Sequence, residues 1–330
     1  MRIAFITDGG LEMGMGHVQQ SITLAKELRD RAEIFFLTKS DEIVVNQIKK
    51  ASFNTLRLSN DDEILNHLRE LKPNMVIIDK LDVDEDFARK LKNDLGTKLA
   101  IFTNLTAANR YADVVVTADI GSKFRNVRFL DAETGTLYFY GVKYWILKED
   151  FYLIKKARRK SKTEKVLLIF GGSDPSNLTS LVLNEFLGLS QELKIDVILG
   201  AYFKYHAELN QVLAKHETKK QNISLHQSVN NVAELMSKAD LVITSPGLSA
   251  FEALRVGTPV IIIPQNRLQR DTYQDFIKVL NKEDITKLAH MIKTEDFVTS
   301  EDKFIKGLEI GAGKHEIVSE LCKLLSGESK

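Results

Sequence analysis

The residue best placed to move a proton is His17, which closes the segment DGGLEMGMGH at 8–17. Glycines at 9, 10, 14 and 16 let the backbone turn sharply and let a ligand come close. A short apolar run precedes the segment and a helical pattern follows it, so His17 falls in a first helical turn. There the positive end of the macrodipole disfavours imidazolium. A neutral imidazole can accept a proton, as a general base must. This placement predicts a titration at or below the free-histidine value of about 6.5. The segment does not follow G-x-G-x-x-G, because Gln19 comes after Gly14-Met15-Gly16-His17-Val18. No Gly-Lys-Ser/Thr follows either, so nicotinamide and ATP chemistry are both disfavoured.

Two further loops carry groups suited to an anion. In FGGSDPSNLT, at 170–179, Gly171 and Gly172 expose amides, Asp174 suits an N-cap and Pro175 a first helical position. Free amides at a helix start attract phosphate, although a capped turn without a ligand would use the same residues. In TSPGLSAFEALRVGTPVIIIPQ, at 244–265, Ser245, Pro246 and Gly247 leave a strand and enter a helix. Ser249 and Glu252 have capping-box spacing. The other reading sets Glu252 one turn inside a ligand site, where a carboxylate accepts from two vicinal hydroxyls, as on ribose. Asp82, Asp84 and Asp86 contain a D-x-D spacing, but they sit where a helix begins, and capping accounts for them without a metal.

The elements that must position these loops alternate regularly. Apolar runs at 3–7, 34–38, 75–79, 99–103 and 114–117 are separated by helical patterns near 17–31, 42–52, 60–71 and 83–95. Runs without polar alternation predict strands covered on both faces, hence a parallel sheet in a doubly wound α/β domain. The pattern restarts with runs at 166–170, 195–199, 241–244 and 260–263, and the tail at about 300–326 reads as helix. The chain of 330 residues is long for one core. We therefore expect two domains, 1–150 and 151–330, with the last helix able to pack back on the first.

Composition narrows the class. The net charge of +1 gives no long-range field for nucleic acid or an anionic membrane. The basic run KKARRKSK at 155–162 lacks interleaved aromatics and reads as a solvated linker. A single cysteine, Cys322, excludes an internal disulfide framework and a Cys-based zinc site. No apolar stretch approaches the roughly 20 residues of a transmembrane helix, and the first run is too short for a signal peptide. A cytoplasmic location is the expectation.

Four segments together resemble a known family: GMGH at 14–17, GVKYWILKEDF at 141–151, FGGSDPSNLT at 170–179 and SPGLSAFEALRVGTPVIIIP at 245–264. They look like the GT-B nucleotide-sugar enzymes, nearest to the UDP-sugar hydrolases of pseudaminic acid biosynthesis and the spore-coat polysaccharide proteins. Both are related to the glycosyltransferase that completes the peptidoglycan lipid precursor. The resemblance implies a GT-B fold of two Rossmann-like domains facing a central cleft. It implies that the second domain binds UDP, with Gly172 and Ser173 near phosphate. Ser245, Gly247, Leu248 and Ser249 would meet the diphosphate, Glu252 the ribose, and Ser228 and Val229 the uracil. In the first domain Gly14 and Gly16 would shape the substrate loop, and His17 would activate the attacking oxygen.

The implied activity is cleavage of the anomeric C–O bond with release of UDP. A UDP-sugar hydrolase of surface-glycan (nonulosonic acid-like) biosynthesis comes first. An inverting glycosyltransferase with a sugar or lipid-linked acceptor is the alternative, and a non-catalytic sugar-nucleotide-binding protein the third. No metal or other cofactor is expected. Two departures concern the first domain: Asp79-Lys80-Leu81 stands where the family has Asp-x-Tyr, and Thr103-Asn104 where it often has Asp-Asp.

Overall fold

The computed structural model describes residues 1–11, 13–118, 126–154, 162–189, 192–227, 229–274 and 277–328. The side chains of 219–221 are not described. The chain forms two compact units, Met1–Leu147 with Leu308–Lys330, and Lys148–Gly307.

In the first unit, β1 (Arg2–Thr7), α1 (Gly16–Leu28), β2 (Glu33–Thr38), α2 (Glu42–Lys50) and β3 (Asn54–Arg57) run in succession. There follow α3 (Asp61–Leu71), β4 (Met75–Asp79), α4 (Glu85–Asn93), β5 (Lys98–Phe102), β6 (Val114–Thr117), β7 (Val127–Leu130) and β8 (Leu137–Tyr140). The strands form one sheet in the order β3-β2-β1-β4-β5-β6-β8-β7, parallel except where β7 meets β8. Continuous apolar strands serve both faces. Ile3 and Phe5 join a core with helices α1 and α2, while Ala4 and Ile6 join one with α3 and α4. Side-chain caps fix the starts of three of these helices: Asp41 on α2, Asn60 on α3 and Asp84 on α4.

The second unit begins with the short α5 (Asp150–Leu153). It continues through β9 (Lys165–Ile169), α6 (Leu178–Gly188), β10 (Lys194–Leu199), α7 (His206–Lys215), β11 (Ile223–Gln227) and α8 (Val232–Lys238). Then come β12 (Leu241–Thr244), α9 (Leu248–Arg255), β13 (Val260–Ile262), α10 (Arg267–Tyr273), α11 (Leu288–Thr294) and α12 (Lys303–Lys306). Its parallel sheet has the order β11-β10-β9-β12-β13. The order reverses between β9 and β12, and ligands of open α/β sheets bind outside the carboxyl ends of strands at such a point.

The last helix, α13 (Lys314–Ser326), belongs to the first unit, where Ile317, Leu321, Leu324 and Leu325 enter the core beside α1. Lys314 is buried and its ammonium lies 2.7 Å from Glu27 on α1. The predicted tail helix is thus two helices with a break at 307–313. The basic run at 155–162 falls, up to 161, outside the described residues. No helix among the described residues is long and apolar enough to cross a membrane.

Candidate functional site

In the first unit, the glycine loop folds on itself through paired backbone hydrogen bonds between Gly10 and Gly14, at 3.0 and 2.8 Å. Gly14 has φ +72°, which a side chain would strain. Helix α1 then starts at Gly16 with no side-chain cap and no acidic residue in its first turn. This start brings His17 against the end of β4, which lies beside β1 in the sheet.

His17 Nδ1 lies 2.8 Å from Oδ1 of Asp79, whose side chain is almost fully buried. A carboxylate only accepts, so Nδ1 carries the proton and Nε2 keeps its lone pair. Three neutral groups hold the carboxylate still. Gln20 Nε2 donates to Oδ2 at 2.9 Å, the Ser21 hydroxyl to Oδ2 at 3.4 Å and the Thr103 hydroxyl to Oδ1 at 3.2 Å. Thr103 makes its contact from φ +63°, a strained conformation for a β-branched residue.

The electrostatics correct the sequence expectation for His17. Burial lowers its pKa, but the adjacent Asp79 carboxylate, helped by Asp82 and Asp8, raises it above the ordinary histidine value. The helix dipole is a partial charge at a helix end, whereas Asp79 is a full charge at hydrogen-bond distance.

On the other side of β4 the next residue, Lys80, pairs with Asp8 Oδ2 at 2.5 Å. Asp8 Oδ1 accepts from the Thr38 hydroxyl, the Lys39 amide and the Ser40 hydroxyl. Burial would raise the Asp8 pKa, yet Lys80 and these donors hold it below the usual carboxylate range. The pair forms part of the wall of a cavity of about 360 Å³ that Phe87, Val83, Met13, Asp82 and Lys39 also line.

In the second unit, the loops after the adjacent strands β9 and β12 bring Gly172 and Ser173 to the same sheet end as Ser245, Gly247, Leu248, Ser249 and Glu252. Val229 follows β11, which β10 separates from β9, and it stands apart from this group along the sheet. Ser228 lies outside the described residues.

The first of these loops differs from the expected turn. Helix α6 begins at Leu178 with Asn177 at the N-cap, and Pro175 remains in the loop. Asp174, at φ +45°, reaches forward to accept from the amides of Leu178 and Thr179, both at 2.8 Å. Those two amides are therefore taken. Burial raises the Asp174 pKa, partly offset by these hydrogen bonds. No described residue accepts from the amides of Gly172 and Ser173.

At the second loop Gly247 caps α9 with φ +138°, a conformation closed to other residues. The amides of Leu248 and Ser249 have no described acceptor, and the buried Ser245 hydroxyl has no partner among the described residues. The capping-box expectation fails. Ser249 sits inside the helix, where its hydroxyl cannot cap, and α9 has no side-chain cap. Glu252 is buried, and its carboxyl group has no hydrogen bond or ion pair to a described residue. Burial pushes its carboxyl up to about 7, against the opposing charge of Lys148.

Two parallel-sheet α/β units of this kind are the parts of a GT-B fold. Residues 166–290 match the family described as glycosyltransferase family 28 C-terminal domain. An uncharacterized protein of Methanocaldococcus jannaschii is 44% identical over the whole of this chain and 69% of its own length. The UDP-2,4-diacetamido-2,4,6-trideoxy-beta-L-altropyranose hydrolase of Campylobacter jejuni is 24% identical, over 77% of this chain and 88% of its own. The MurG structure of Acinetobacter baumannii superposes with a TM-score of 0.63, covering 99% of each chain at 14% identity. The chain belongs to the same family as the Methanocaldococcus protein, its fold is that of the GT-B structures, and its residues 166–290 carry the glycosyltransferase family 28 C-terminal domain.

Sequence reading singled out His17 and missed its partner. Asp79 entered only as the acid before an absent tyrosine. The available signal was an aspartate closing an otherwise apolar central strand, where the loop after β4 borders the loop after β1. Gln20 and Thr103 carried no such signal.

Proposed function

We propose that the protein cleaves the anomeric C–O bond of a UDP-sugar and releases UDP, acting as a hydrolase in surface-glycan (nonulosonic acid-like) biosynthesis. The observation that carries this is the His17–Asp79 pair, in which the contact of Nδ1 with the carboxylate leaves Nε2 as the proton-accepting nitrogen. The family and the hydrolase relative from Campylobacter support the substrate class.

In this reading Nε2 of His17 removes a proton from water as the water oxygen bonds to the anomeric carbon. The C–O bond breaks, and its electron pair leaves with the β-phosphate of UDP. Asp79 keeps the imidazole in the proton-accepting tautomer and stabilises the imidazolium. The second unit holds the nucleotide. Open amides at Gly172, Ser173, Leu248 and Ser249, with Ser245 and Gly247 shaping the turn, offer hydrogen bonds to the diphosphate. Glu252 accepts from the ribose hydroxyls, and Val229 is assigned to the base. Gly14 and Gly16 give the substrate room beside His17. No metal is assigned a step, and a cytoplasmic location is part of the same proposal.

A second reading, an inverting glycosyltransferase, uses the same base on an acceptor hydroxyl. The cavity beside Lys80 favours it, because water needs no such space. The test is incubation with a panel of UDP-sugars, with and without sugar or lipid-linked acceptors, followed by NMR of the products. Free sugar without acceptor supports hydrolysis, and UDP release only with acceptor supports transfer. Binding of UDP-sugars without turnover in either arm would leave a sugar-nucleotide-binding protein.

A further inference from the structure

The cavity in the first unit has walls of two kinds. Its polar wall carries Asp8 and Lys80, whose side chains are only 7% and 11% exposed. Its apolar wall carries Ile78, Val83 and Phe87, all buried. The volume of about 360 Å³ lies at the small end of the range for small-molecule sites, enough for one substituted ring and too little for a peptide or an acyl chain.

The hydrogen-bond inventory defines the guest. Lys80 has three N–H donors and spends one on Asp8, with no other hydrogen bond or ion pair to a described residue. Asp8 Oδ1 is saturated by Thr38, Lys39 and Ser40, but Oδ2 meets only Lys80 and keeps acceptor capacity. An ammonium with spare donors next to a carboxylate with a spare acceptor matches two neighbouring hydroxyls, each of which both donates and accepts. The apolar wall suits the C–H face of the ring that carries them. An anion is not matched. Asp8 already neutralises Lys80, Asp61 pairs with Lys39 at the rim, and Asp82 and Asp84 add negative charge.

We infer that this cavity is a subsite for one uncharged pyranose bearing vicinal hydroxyls, held between the Asp8–Lys80 pair and the Phe87 wall. The site is built on the first unit alone, so it does not require nucleotide. It rests on the proposed glycosyl chemistry only for its use, as the seat of the acceptor sugar in the transfer reading. Lys80 directly follows Asp79, the hydrogen-bond partner of His17, so the polar wall of the cavity and the base both adjoin the end of β4.

The test is saturation-transfer difference NMR on the full chain without nucleotide, with methyl glucopyranoside, methyl N-acetylglucosaminide and glucuronate at millimolar concentration. Wild type should give signals from ring protons of at least one neutral glycoside and none from glucuronate. Lys80→Met should weaken the neutral glycoside at least tenfold. Asp8→Asn should admit glucuronate, because it frees the lysine charge. Thermal melts identify variants that fail to fold, and the double variant Asp8→Asn/Lys80→Gln keeps a neutral hydrogen-bonding pair and should retain glycoside binding. Equal binding of glucuronate and glycosides by wild type, no glycoside signal at all, or an unchanged signal in folded Lys80→Met would overturn the inference. UDP calorimetry on the same samples separates the two ideas: glycoside binding without UDP binding keeps the subsite and rejects the nucleotide reading, and the reverse rejects the subsite alone.

Discussion

The Nδ1–H of His17 donates to Asp79 Oδ1 at 2.8 Å, joining the first helix of the chain to the end of the strand that lies against β1. Only Nε2 is then left to take a proton. Replacing His17 by Asn should lower kcat by about 10²–10⁴ while leaving UDP affinity nearly unchanged. Asp79→Asn should lower kcat as well, because an amide at that place can donate to Nδ1 and favour the wrong tautomer. Steady-state kinetics and UDP calorimetry on folded variants check both. Wild-type turnover in His17→Asn would remove the catalytic assignment. Normal kcat with lost UDP binding would make His17 a ligand-positioning group.

The pH profile tests the same pair with a defined sign. The base works when neutral, so activity falls as pH drops through the His17 pKa. Asp79 raises that pKa, and the acidic limb should lie above the ordinary histidine value of about 6.5. Removing the charge in Asp79→Asn should move the limb to lower pH. The linked stability has the matching sign: a histidine pKa raised on folding contributes fully below the unfolded value and is lost as pH rises through the folded one. Denaturant titrations of wild type and His17→Asn should therefore differ more at pH 6 than at pH 9.

Glu252 should show a conflict between function and stability. Its carboxyl is pushed from 4.5 to about 7 by burial, so the folded protein holds that proton more tightly than the unfolded chain. The contribution is full below 4.5 and is lost as pH rises to about 7. Glu252→Gln removes the penalty and should stabilise the free protein at pH 8, by up to roughly 3 kcal/mol. The same change should weaken UDP more than 2′-deoxy-UDP, since the lost acceptor matters only where the hydroxyl is present. A melt at pH 8 and paired calorimetry measure the two effects. Equal weakening of both nucleotides would take the ribose away from Glu252.

The fold was legible where strands are buried on both faces. The runs at 3–7, 75–79 and 166–170 lie within a residue of β1, β4 and β9. Sheet edges were not. The strands β3 and β11 are largely exposed, and their sequences, NTLR and ISLHQ, carry no continuous apolar run. The hairpin of β7 and β8 alternates burial and reads as neither element of a βα repeat. The site was legible as loops and not as partnerships. Asp174 was recognised as a cap, but its reach over Asn177 to Leu178 depends on positive φ at both Asp174 and Asn177, which composition does not show. The Asp79 and Lys80 contacts arise from chain segments 62 and 72 residues away, brought in by parallel pairing of β1 with β4.

Metal dependence gives the last test. The acids at 82–86 are the only D-x-D arrangement next to the first-unit cavity, and two of the three are engaged. Asp84 accepts from the Phe87 amide at 2.8 Å and caps α4. Asp86 pairs with Arg89 and Lys90 on the same helix. Asp82 also lines the cavity, and of the other carboxylates there Asp8 pairs with Lys80 and Asp61 with Lys39, so a hard cation would meet ammonium groups beside its oxygens. Among the described residues no group of His, Cys, Asp or Glu is arranged to hold a metal. The charge on departing UDP would instead meet the open amides of Gly172, Ser173, Leu248 and Ser249, which need no ion to act. Turnover should therefore be unchanged, within about twofold, after dialysis against EDTA, and Asp82→Asn should not create a metal requirement. Activity lost in EDTA and restored by Mg²⁺ or Mn²⁺ would overturn this. If Asp82→Asn then abolished the restoration, the metal would sit at the mouth of the cavity, and the leaving-group role assigned to the amides would pass to the ion.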